Sequence, residues 1–224
     1  MEGDLLAIET SGSHASMALW KGGQFSGERS WTAERHHSSS IFPHLKTLLG
    51  MPGELRISTI VVGAGPGSYG GIRVALAAAD GISLIHGSRV VSLCSWEAIP
   101  AEGKSDYRVI SDARRNGWAV ATFRNRRLQG EIAIMDTEEL KLALPGWRSQ
   151  GETVYSPEDP DVTATLDFPD ISSAQIPSAR ILGEAWFNRN DQERVALLEH
   201  APAPIYVRPP HITAAKRPAW ATRQ

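Results

Sequence analysis

The apolar and polar positions predict alternating strands and helices around one long apolar segment in the first hundred residues. Residues 60–63 are apolar and partly β-branched, residues 65–71 are mostly Gly, Pro and Ser, and residues 72–85 are almost entirely small or apolar. This order predicts a buried strand, a tight turn and a helix. Ser68 is placed to cap the first turn of that helix.

The predicted helix at 72–85 is apolar nearly all round. Its obvious polar side chains, Arg73, Asp80 and Ser83, fall on one narrow stripe. A helix of this kind requires cover on two sides. One side can pack on the sheet that contains residues 60–63, and small residues on the other side suit the close approach of a second helix. We therefore interpret this helix as an interaction surface.

The remaining pattern predicts a fold in which strands precede and separate the helices. Strands are predicted at 5–9, 14–21, 24–31, 59–63, 90–93, 107–112, 118–124 and 127–135, and further helices at 41–49, 138–144 and 178–187. Residues 146–176 are rich in Asp, Pro and Ser, and only a short strand at 153–155 is indicated there. The order β-β-β-α-β-α-β predicts an α/β fold with a mixed sheet and helices packed against it.

Two related subdomains and a tail are predicted from this order. A polar break at 101–106 separates residues 1–100 from residues 101–200, in which the hairpin, helix and strand order is weakly repeated. Residues 201–224 form a tail that contains five prolines and several basic residues. We expect the first subdomain to carry the interaction helices and the second to be smaller and degenerate.

Composition is that of an ordinary globular protein and excludes several classes. The 224 residues are 42% apolar and 21% charged, with a formal net charge of −2. No global basic field indicates nucleic-acid binding, and no apolar run approaches the length of a membrane span. A single cysteine, Cys94, excludes an internal disulfide framework. The acidic start predicts no secretory signal, and we expect a cytoplasmic protein without membrane attachment.

Five short motifs lie in order along nearly the whole chain. They are I-E-T-S at 8–11, H-S-S-S-I-F-P at 37–43, G-P-G-S-Y-G-G-I-R at 65–73, S-D-A-R at 111–114 and P-I-Y-V-R at 204–208. Together they resemble motifs of the bacterial TsaB family, also called YeaZ. Gly70 stands where the family usually has Thr, and Glu9 where it more often has Asp.

The resemblance implies an actin/hexokinase-like (ASKHA) fold of two RNase-H-like halves. It also implies a non-catalytic subunit that forms a heterodimer with the TsaD-type transferase, which a TsaE-type ATPase joins. TsaD attaches a threonylcarbamoyl group to adenosine 37 of tRNAs that decode ANN codons. We expect this chain to need no cofactor, and ATP or ADP and a metal ion to bind the partner. Alone, the chain is expected to form a homodimer, and to meet tRNA through the complex.

The expected partner surface lies on the first two helices. Apolar burial between closely packed helices would supply most of the affinity. The residues predicted there are Ser38, Ile41, Leu45, Leu48, Ile72, Ala75, Ala78, Ala79 and Ile82. We expect Ala78→Glu or Ala79→Glu to abolish the heterodimer while leaving a folded monomer.

Two groups of residues are candidates for a vestigial nucleotide cleft. The phosphate-loop candidate comprises Gly65, Pro66, Gly67 and Ser68. It lacks the Gly-Lys-Ser/Thr ending of a phosphate-binding loop, so a strand-to-helix turn is the favoured interpretation. The cleft candidate comprises Glu9, Thr10 and Ser11, which either hold a metal-bound water or, as we favour, satisfy turn amides.

No metal site is predicted, because no two of the seven histidines have the H-x-x-x-H spacing of TsaD-type sites. The tail bases Arg208, His211, Lys216 and Arg217 either meet tRNA phosphate or are solvated or docked on a partner. Three alternatives to a scaffold subunit remain open. They are an ASKHA-fold ATPase, kinase or peptidase-like enzyme that acts alone, the TsaD transferase itself, and a regulator that uses the same helices on another partner.

Overall fold

The computed structural model describes residues 3–32, 37–50 and 56–208, and only the backbone of residues 37–40. The first half of the chain forms a five-stranded mixed sheet with the strand order β3-β2-β1-β4-β5. Its elements are β1 (Asp4–Glu9), β2 (His14–Lys21), β3 (Gln24–Thr32), α1 (His37–Leu49), β4 (Ile57–Gly63), α2 (Tyr69–His86) and β5 (Arg89–Leu93). β1 pairs antiparallel with β2 and parallel with β4.

The first sheet is covered on both faces, as the continuous apolar runs of β1 and β4 predict. Successive side chains of a strand point to opposite faces. Accordingly Leu6 and Ile60 belong to a core cluster with residues of α1 and α2, while Leu5 and Val61 belong to a second cluster on the other face. That second face is covered by a helix from the far end of the chain.

The second half repeats the strand order of the first. Its sheet has the order β8-β7-β6-β9-β10, with the first two pairings antiparallel and the last two parallel. The elements are β6 (Tyr107–Asp112), β7 (Gly117–Arg124), β8 (Arg127–Asp136), α3 (Thr137–Ser149), β9 (Val154–Tyr155), α4 (Pro160–Thr163) and β10 (Ile171–Ser172). The weak repeat predicted from the sequence is therefore a repeat of topology.

Two further helices, α5 (Ala179–Phe187) and α6 (Asp191–Leu198), follow the second sheet in the chain. α5 packs on the first sheet, where Leu182 and Trp186 join the cluster of Leu5 and Val61. The division into 1–100 and 101–200 is therefore corrected in one respect: the C-terminal helix of the second segment belongs to the first half. The physical reason is that the first sheet needs an apolar cover on its second face.

The halves are also joined by polar contacts on one side. In the β7–β8 turn, the Arg126 guanidinium donates to the backbone oxygens of Glu97 (3.3 Å), Ile99 (2.6 Å) and Lys104 (3.2 Å). Arg189, which follows α5, makes a buried ion pair with Glu97. The Arg126 contacts hold the second half against the segment that connects the two sheets, and the Arg189–Glu97 pair holds the end of α5 against the same segment.

Most predicted strands and helices are present, with differences in the second half. α3 is longer than predicted, and its cap is Asp136, whose side chain accepts from the backbone N–H of Glu139 at 2.8 Å, instead of Thr137. α4 and β10 were not predicted, because elements of two to four residues have too few positions to show a period, and α6, which has eight residues, was not predicted either. Within the described ranges, no helix combines the length and apolarity that crossing a membrane requires.

Candidate functional site

The site is built from three loops that the fold brings together at the carboxyl ends of β1 and β4. The loop after β1 lies directly against the glycine turn between β4 and α2. Thr10 Oγ1 donates to the Gly71 carbonyl oxygen at 2.7 Å, and the Ser68 N–H donates to the Ser11 carbonyl oxygen at 2.6 Å. The two groups of candidate residues therefore occupy one place in the structure.

Close approach of these two loops explains the glycines of the turn. A Cβ on Gly67 would lie 2.2 Å from the Ser11 carbonyl oxygen, and a Cβ on Gly71 would lie 1.9 Å from that of Thr10. Both separations are far below van der Waals contact, so neither position accepts a side chain. Ser68 caps α2, as predicted, and its Oγ accepts from the Gly71 N–H at 3.2 Å. The turn is therefore packed against the backbone of the preceding loop. A phosphate-binding loop would instead leave this space open for the phosphate.

Glu9 ends β1 and is fully buried beneath this turn. Its Oε1 accepts from the Ser11 N–H at 2.7 Å, while Oε2, among the described residues, has no hydrogen-bond partner. The carboxyl group packs on the backbone of Gly63, where a Cβ would lie 1.7 Å from Oε2. Burial raises the pKa of the Glu9 carboxyl, against hydrogen bonds from Ser11 and Ser95 that lower it. This acid faces the protein interior.

A cleft of about 540 Å³ lies between the two halves beside these loops. The first half contributes residues 11–13 and 66–69, and the second half contributes residues 111–114 and 157–159. Its polar lining is made of hydroxyl groups and of both charges. Across residues 3–32, 37–50 and 56–208, no group of three or more His, Cys, Asp or Glu residues is arranged to hold a metal ion.

Side chains of the second half that face the cleft are engaged with one another. Asp112, at the end of β6, accepts from the Arg114 N–H at 2.7 Å and pairs with its guanidinium at 3.1 Å. Glu158 Oε1 accepts from Ser111 Oγ at 2.5 Å and from the Asp112 N–H at 3.2 Å. These contacts shape the wall of the cleft.

The third loop comes from the C-terminal motif, which the sequence placed in a tail. The Ile205 N–H donates to the Ala64 carbonyl oxygen at 2.8 Å. The Tyr206 ring stacks on Tyr69 in the first turn of α2, with centroids 4.4 Å apart, and the Arg73 guanidinium lies 4.9 Å from the Tyr69 centroid. The sequence offered one indication of this role, the likeness of 204–208 to a family motif. His211, Lys216 and Arg217 lie outside the described residues.

Seven of the nine predicted partner residues are core residues of the chain itself, which corrects the prediction for those seven. The helices of the first half pack these side chains against β1, β4 and each other, so that small residues of α2 permit close contact with the chain's own sheet. The buried residues are Ile41, Leu45, Ile72, Ala75, Ala78, Ala79 and Ile82. Leu48 is partly buried, and the side chain of Ser38 lies outside the described residues. A charge at Ala78 or Ala79 would therefore disturb folding before it disturbed a partner.

A different face of the same two helices is exposed. Leu84 is 88% exposed and Ile85 is 82% exposed at the end of α2, and Phe42 of α1 is 59% exposed. Ala77 and Gly81 are exposed on α2 and, with Leu84, follow the spacing i, i+4, i+7 of one helical face. We call these five residues the outer helix face.

Comparisons with known proteins agree with this architecture. The sequence model of the family described as TsaD, tRNA N6-adenosine threonylcarbamoyltransferase, matches residues 30–176, which is more than half of the chain. An uncharacterized protein of Mycobacterium tuberculosis is 32% identical over 91 residues, 40% of this chain and 43% of that protein. The Escherichia coli tRNA threonylcarbamoyladenosine biosynthesis protein TsaB is 32% identical over 82 residues, 36% of this chain and 35% of TsaB. The chain thus matches less than half the length of these relatives.

Solved structures match over a larger part of the chain. YeaZ from Pseudomonas aeruginosa superposes with a TM-score of 0.68 at 22% identity, covering 92% of this chain and 100% of YeaZ. A second Pseudomonas aeruginosa structure, described as similar to peptidase YEAZ, gives a TM-score of 0.70 at 23% identity with the same coverage. The resemblance inferred from the motifs is confirmed, and so is the ASKHA fold of two RNase-H-like subdomains.

Proposed function

This chain belongs to the TsaD family, as one of its TsaB-type (YeaZ-type) members, and from this premise we propose that it is a non-catalytic subunit of a tRNA-modifying complex. In this proposal it pairs with a TsaD-type transferase that forms N6-threonylcarbamoyladenosine at position 37 of ANN-decoding tRNAs. A TsaE-type ATPase joins the pair, and nucleotide and metal bind the partners. The setting is cytoplasmic, and the chain forms a homodimer when the partner is absent.

The outer helix face is the observation that carries the pairing. Leu84 and Ile85 lie almost wholly in solvent, on a helix whose opposite side is core. Water contact with such large apolar side chains is unfavourable, by roughly 25 cal/mol for each Å² of apolar surface. Exposed Ala77 and Gly81 on the same face have little or no side chain, so a partner helix can come close to the α2 backbone.

A non-catalytic role is supported by the state of the cleft residues. Glu9 is buried with a raised pKa, and its carboxyl contacts Ser11 and Gly63 instead of the cleft. The glycine turn is packed on the preceding loop, and Asp112 is paired with Arg114. Catalysis requires a nucleophile or base within hydrogen-bond reach of a reacting group. Glu9, Asp112 and Glu158 are instead engaged with the protein, and Asp159 is the further acid in the lining of the cleft.

Copurification with the TsaD-type transferase of the same organism tests the pairing. We expect Ala77→Glu and Leu84→Asp to weaken the complex by at least about 100-fold, since each places a charge where apolar contact forms. Leu142→Asp on α3 is the matched control, because Leu142 is 82% exposed in the second half. Unchanged copurification of the folded Ala77→Glu and Leu84→Asp variants would remove the outer helix face from the proposal.

Reconstituted threonylcarbamoyl transfer tests the role itself. We expect transfer to tRNA by the transferase and its other partners to require this chain, and the isolated chain to show no turnover of ATP or peptide. ATP hydrolysis or peptide cleavage by the isolated chain would instead favour the alternative, an ASKHA-fold ATPase, kinase or peptidase-like enzyme that acts alone. Transfer at full rate without the chain would refute the proposed subunit.

A further inference from the structure

Residues 203–208 cross the cleft side of the molecule from the first half to the second, and we call them the strap. They contain the P-I-Y-V-R motif, which the proposed pairing with a transferase does not use. The segment follows α6, which packs near β5, and it ends beside the β6–β7 turn. The strap therefore contacts both sides of the cleft that it helps to line.

On the first half, the strap is held by backbone and aromatic contacts. The Ala203 N–H donates to Ser92 Oγ of β5 at 3.4 Å, and the Ile205 N–H donates to the Ala64 carbonyl oxygen at 2.8 Å. The acceptor of the second bond, Ala64, is the residue that directly follows β4. Stacking of Tyr206 on Tyr69 fixes the next residue against the first turn of α2.

On the second half, the strap is held by apolar burial and by Arg208. Ile205 and Val207 are partly buried and pack on the core cluster in which Tyr107 and Tyr155 of the second half meet Trp96 of the first. The Arg208 guanidinium covers Gly117 at the start of β7, where a Cβ would lie 2.1 Å from Nη2. Within the strap, Tyr206 therefore contacts the first half and Arg208 contacts the second, while Ile205 and Val207 pack on the cluster where the two halves meet.

The polar contacts of Arg126 and the Arg189–Glu97 pair tie the halves around residues 97–104, the segment that connects the two sheets. The strap adds a tie at the cleft. Two bodies fixed at one place can still rotate about it, whereas a second fixed place removes that rotation. Widening the cleft would require Arg208 to leave Gly117, Ile205 and Val207 to leave the shared cluster, or Tyr206 to leave Tyr69.

We propose that the strap is a lock that fixes the angle between the two halves, so that the cleft opens only when the strap is released. The lock depends on Tyr206, which stacks on the first half, and on Ile205, which packs on the cluster that residues of both halves form. It holds in the isolated chain and does not depend on a partner, on tRNA or on any activity of the cleft.

Distances between spin labels across the cleft test the lock. Labels are attached through Ser13→Cys in the β1–β2 loop and Asp161→Cys in α4, both exposed positions, while the native Cys94 is buried and stays unlabelled. In the otherwise native chain we expect one narrow distance distribution. With Tyr206→Ala or Ile205→Asp we expect the distribution to broaden and its mean to increase by more than about 2 Å, the size of a domain rearrangement.

Phe25→Ala is the control for loss of an aromatic side chain, because Phe25 packs edge-on to Trp20, away from the strap. We expect this variant to keep the native distribution. Circular dichroism establishes whether each variant is folded. If Ile205→Asp does not fold, Tyr206→Ala still tests the lock, since Tyr206 lies at the surface of the contact. An unchanged distribution in a folded Tyr206→Ala chain would overturn the lock, as would a native chain whose distribution is already broad.

Discussion

The two halves of this molecule have the same sheet topology and different coverings. In the first half, β4 has seven residues, α2 has 18 and β5 has five. The corresponding elements of the second half are β9 with two residues, α4 with four and β10 with two. The strand order is the same although β9, α4 and β10 are short, because hydrogen bonding along β6 and β7 defines the sheet. The elements outside these strands can therefore be shorter without a change of topology.

The difference in covering decides which of the corresponding helices α2 and α4 can present a continuous face to a partner. α2 is long enough to bury one side in the core and to expose Ala77, Gly81, Leu84 and Ile85 on the other. The four residues of α4 make one turn, which is too short to offer a continuous face. Of these two helices, only α2 is long enough for the partner contact that we propose.

The strand ends that face the cleft differ in the same direction. β1 ends in Glu9, which is fully buried, while β6 ends in Asp112, whose side chain is partly exposed and pairs with Arg114. The first loop is packed against a glycine turn, and the second lines an open wall. In the first half, the acid at the strand end is therefore buried and packed, whereas in the second half it lines the cleft.

The largest expected effect comes from a charge on the inner side of α2. Ala79 is fully buried, so Ala79→Glu should cost at least about 3–5 kcal/mol of unfolding free energy, the cost of an uncompensated buried charge. Ala77→Glu, two residues away on the exposed side, should change stability by less than about 0.5 kcal/mol. Urea denaturation measures both. Equal stability of the two variants would contradict the conclusion that the Ala79 side of α2 belongs to the core.

A smaller effect is expected from the buried acid of the first half. The pKa of Glu9 is raised by burial, so its carboxyl binds a proton in the folded state where the unfolded chain has lost it. Stability should therefore fall as the pH rises above about 4.3, the ordinary value, through the folded pKa. Glu9→Gln, which keeps the acceptor for the Ser11 N–H, should raise the melting temperature at pH 8 by a few degrees.

Melting curves at pH 5 and pH 8 test this expectation. The gain from Glu9→Gln should be smaller at pH 5, where the native carboxyl is closer to its protonated form. Asp112→Asn, at the equivalent strand end of the second half, is the control for the loss of a carboxylate. A Glu9→Gln chain that is less stable than the native chain at pH 8 would show that the charged carboxylate stabilises the fold.

The smallest effect, of opposite sign, is expected from an acid of the second half. Glu152 accepts from Arg108 and, at 2.9 Å, from Arg124, and the hydrogen bond from Arg108 is the main cause of its lowered pKa. Its stabilising contribution is present above the unfolded value and is lost as the pH falls through the folded pKa. Glu152→Gln should cost about 1 kcal/mol at pH 7 and less at pH 3. Urea denaturation at both values checks this, and a cost that grows as the pH falls would contradict the ion-pair explanation.

Much of the first half could be predicted from its sequence. The strand at 14–21 and the helix at 72–85 follow from alternation and from an uninterrupted apolar run between a Gly-Pro-Gly turn and Gly87. Apart from the short strand at 153–155, residues 146–176 could not be predicted in this way, because elements of two to four residues carry no clear period. Their place is set by pairing with β6, which lies more than 40 residues away.

The sequence identified residues of the site but did not predict the contacts between them. The motifs at 8–11, 65–73 and 204–208 were each visible, yet nothing local shows that Thr10 meets Gly71 or that Tyr206 meets Tyr69. The prediction of a partner surface was wrong for the seven residues that are buried, because an apolar helix has the same composition whether a partner or its own sheet covers it. Only burial distinguishes Ala79 from Ala77.

The sequence by itself determined the secondary structure of the first half, the family and the fold, because these depend on local periodicity and on motifs that keep their order. Tertiary structure alone decided which side of α2 is core, why Glu9 is buried, and that residues 203–208 join the two halves. These properties depend on contacts between residues that are far apart in the chain. The free energy of such a contact depends on both residues together and cannot be inferred from either one alone.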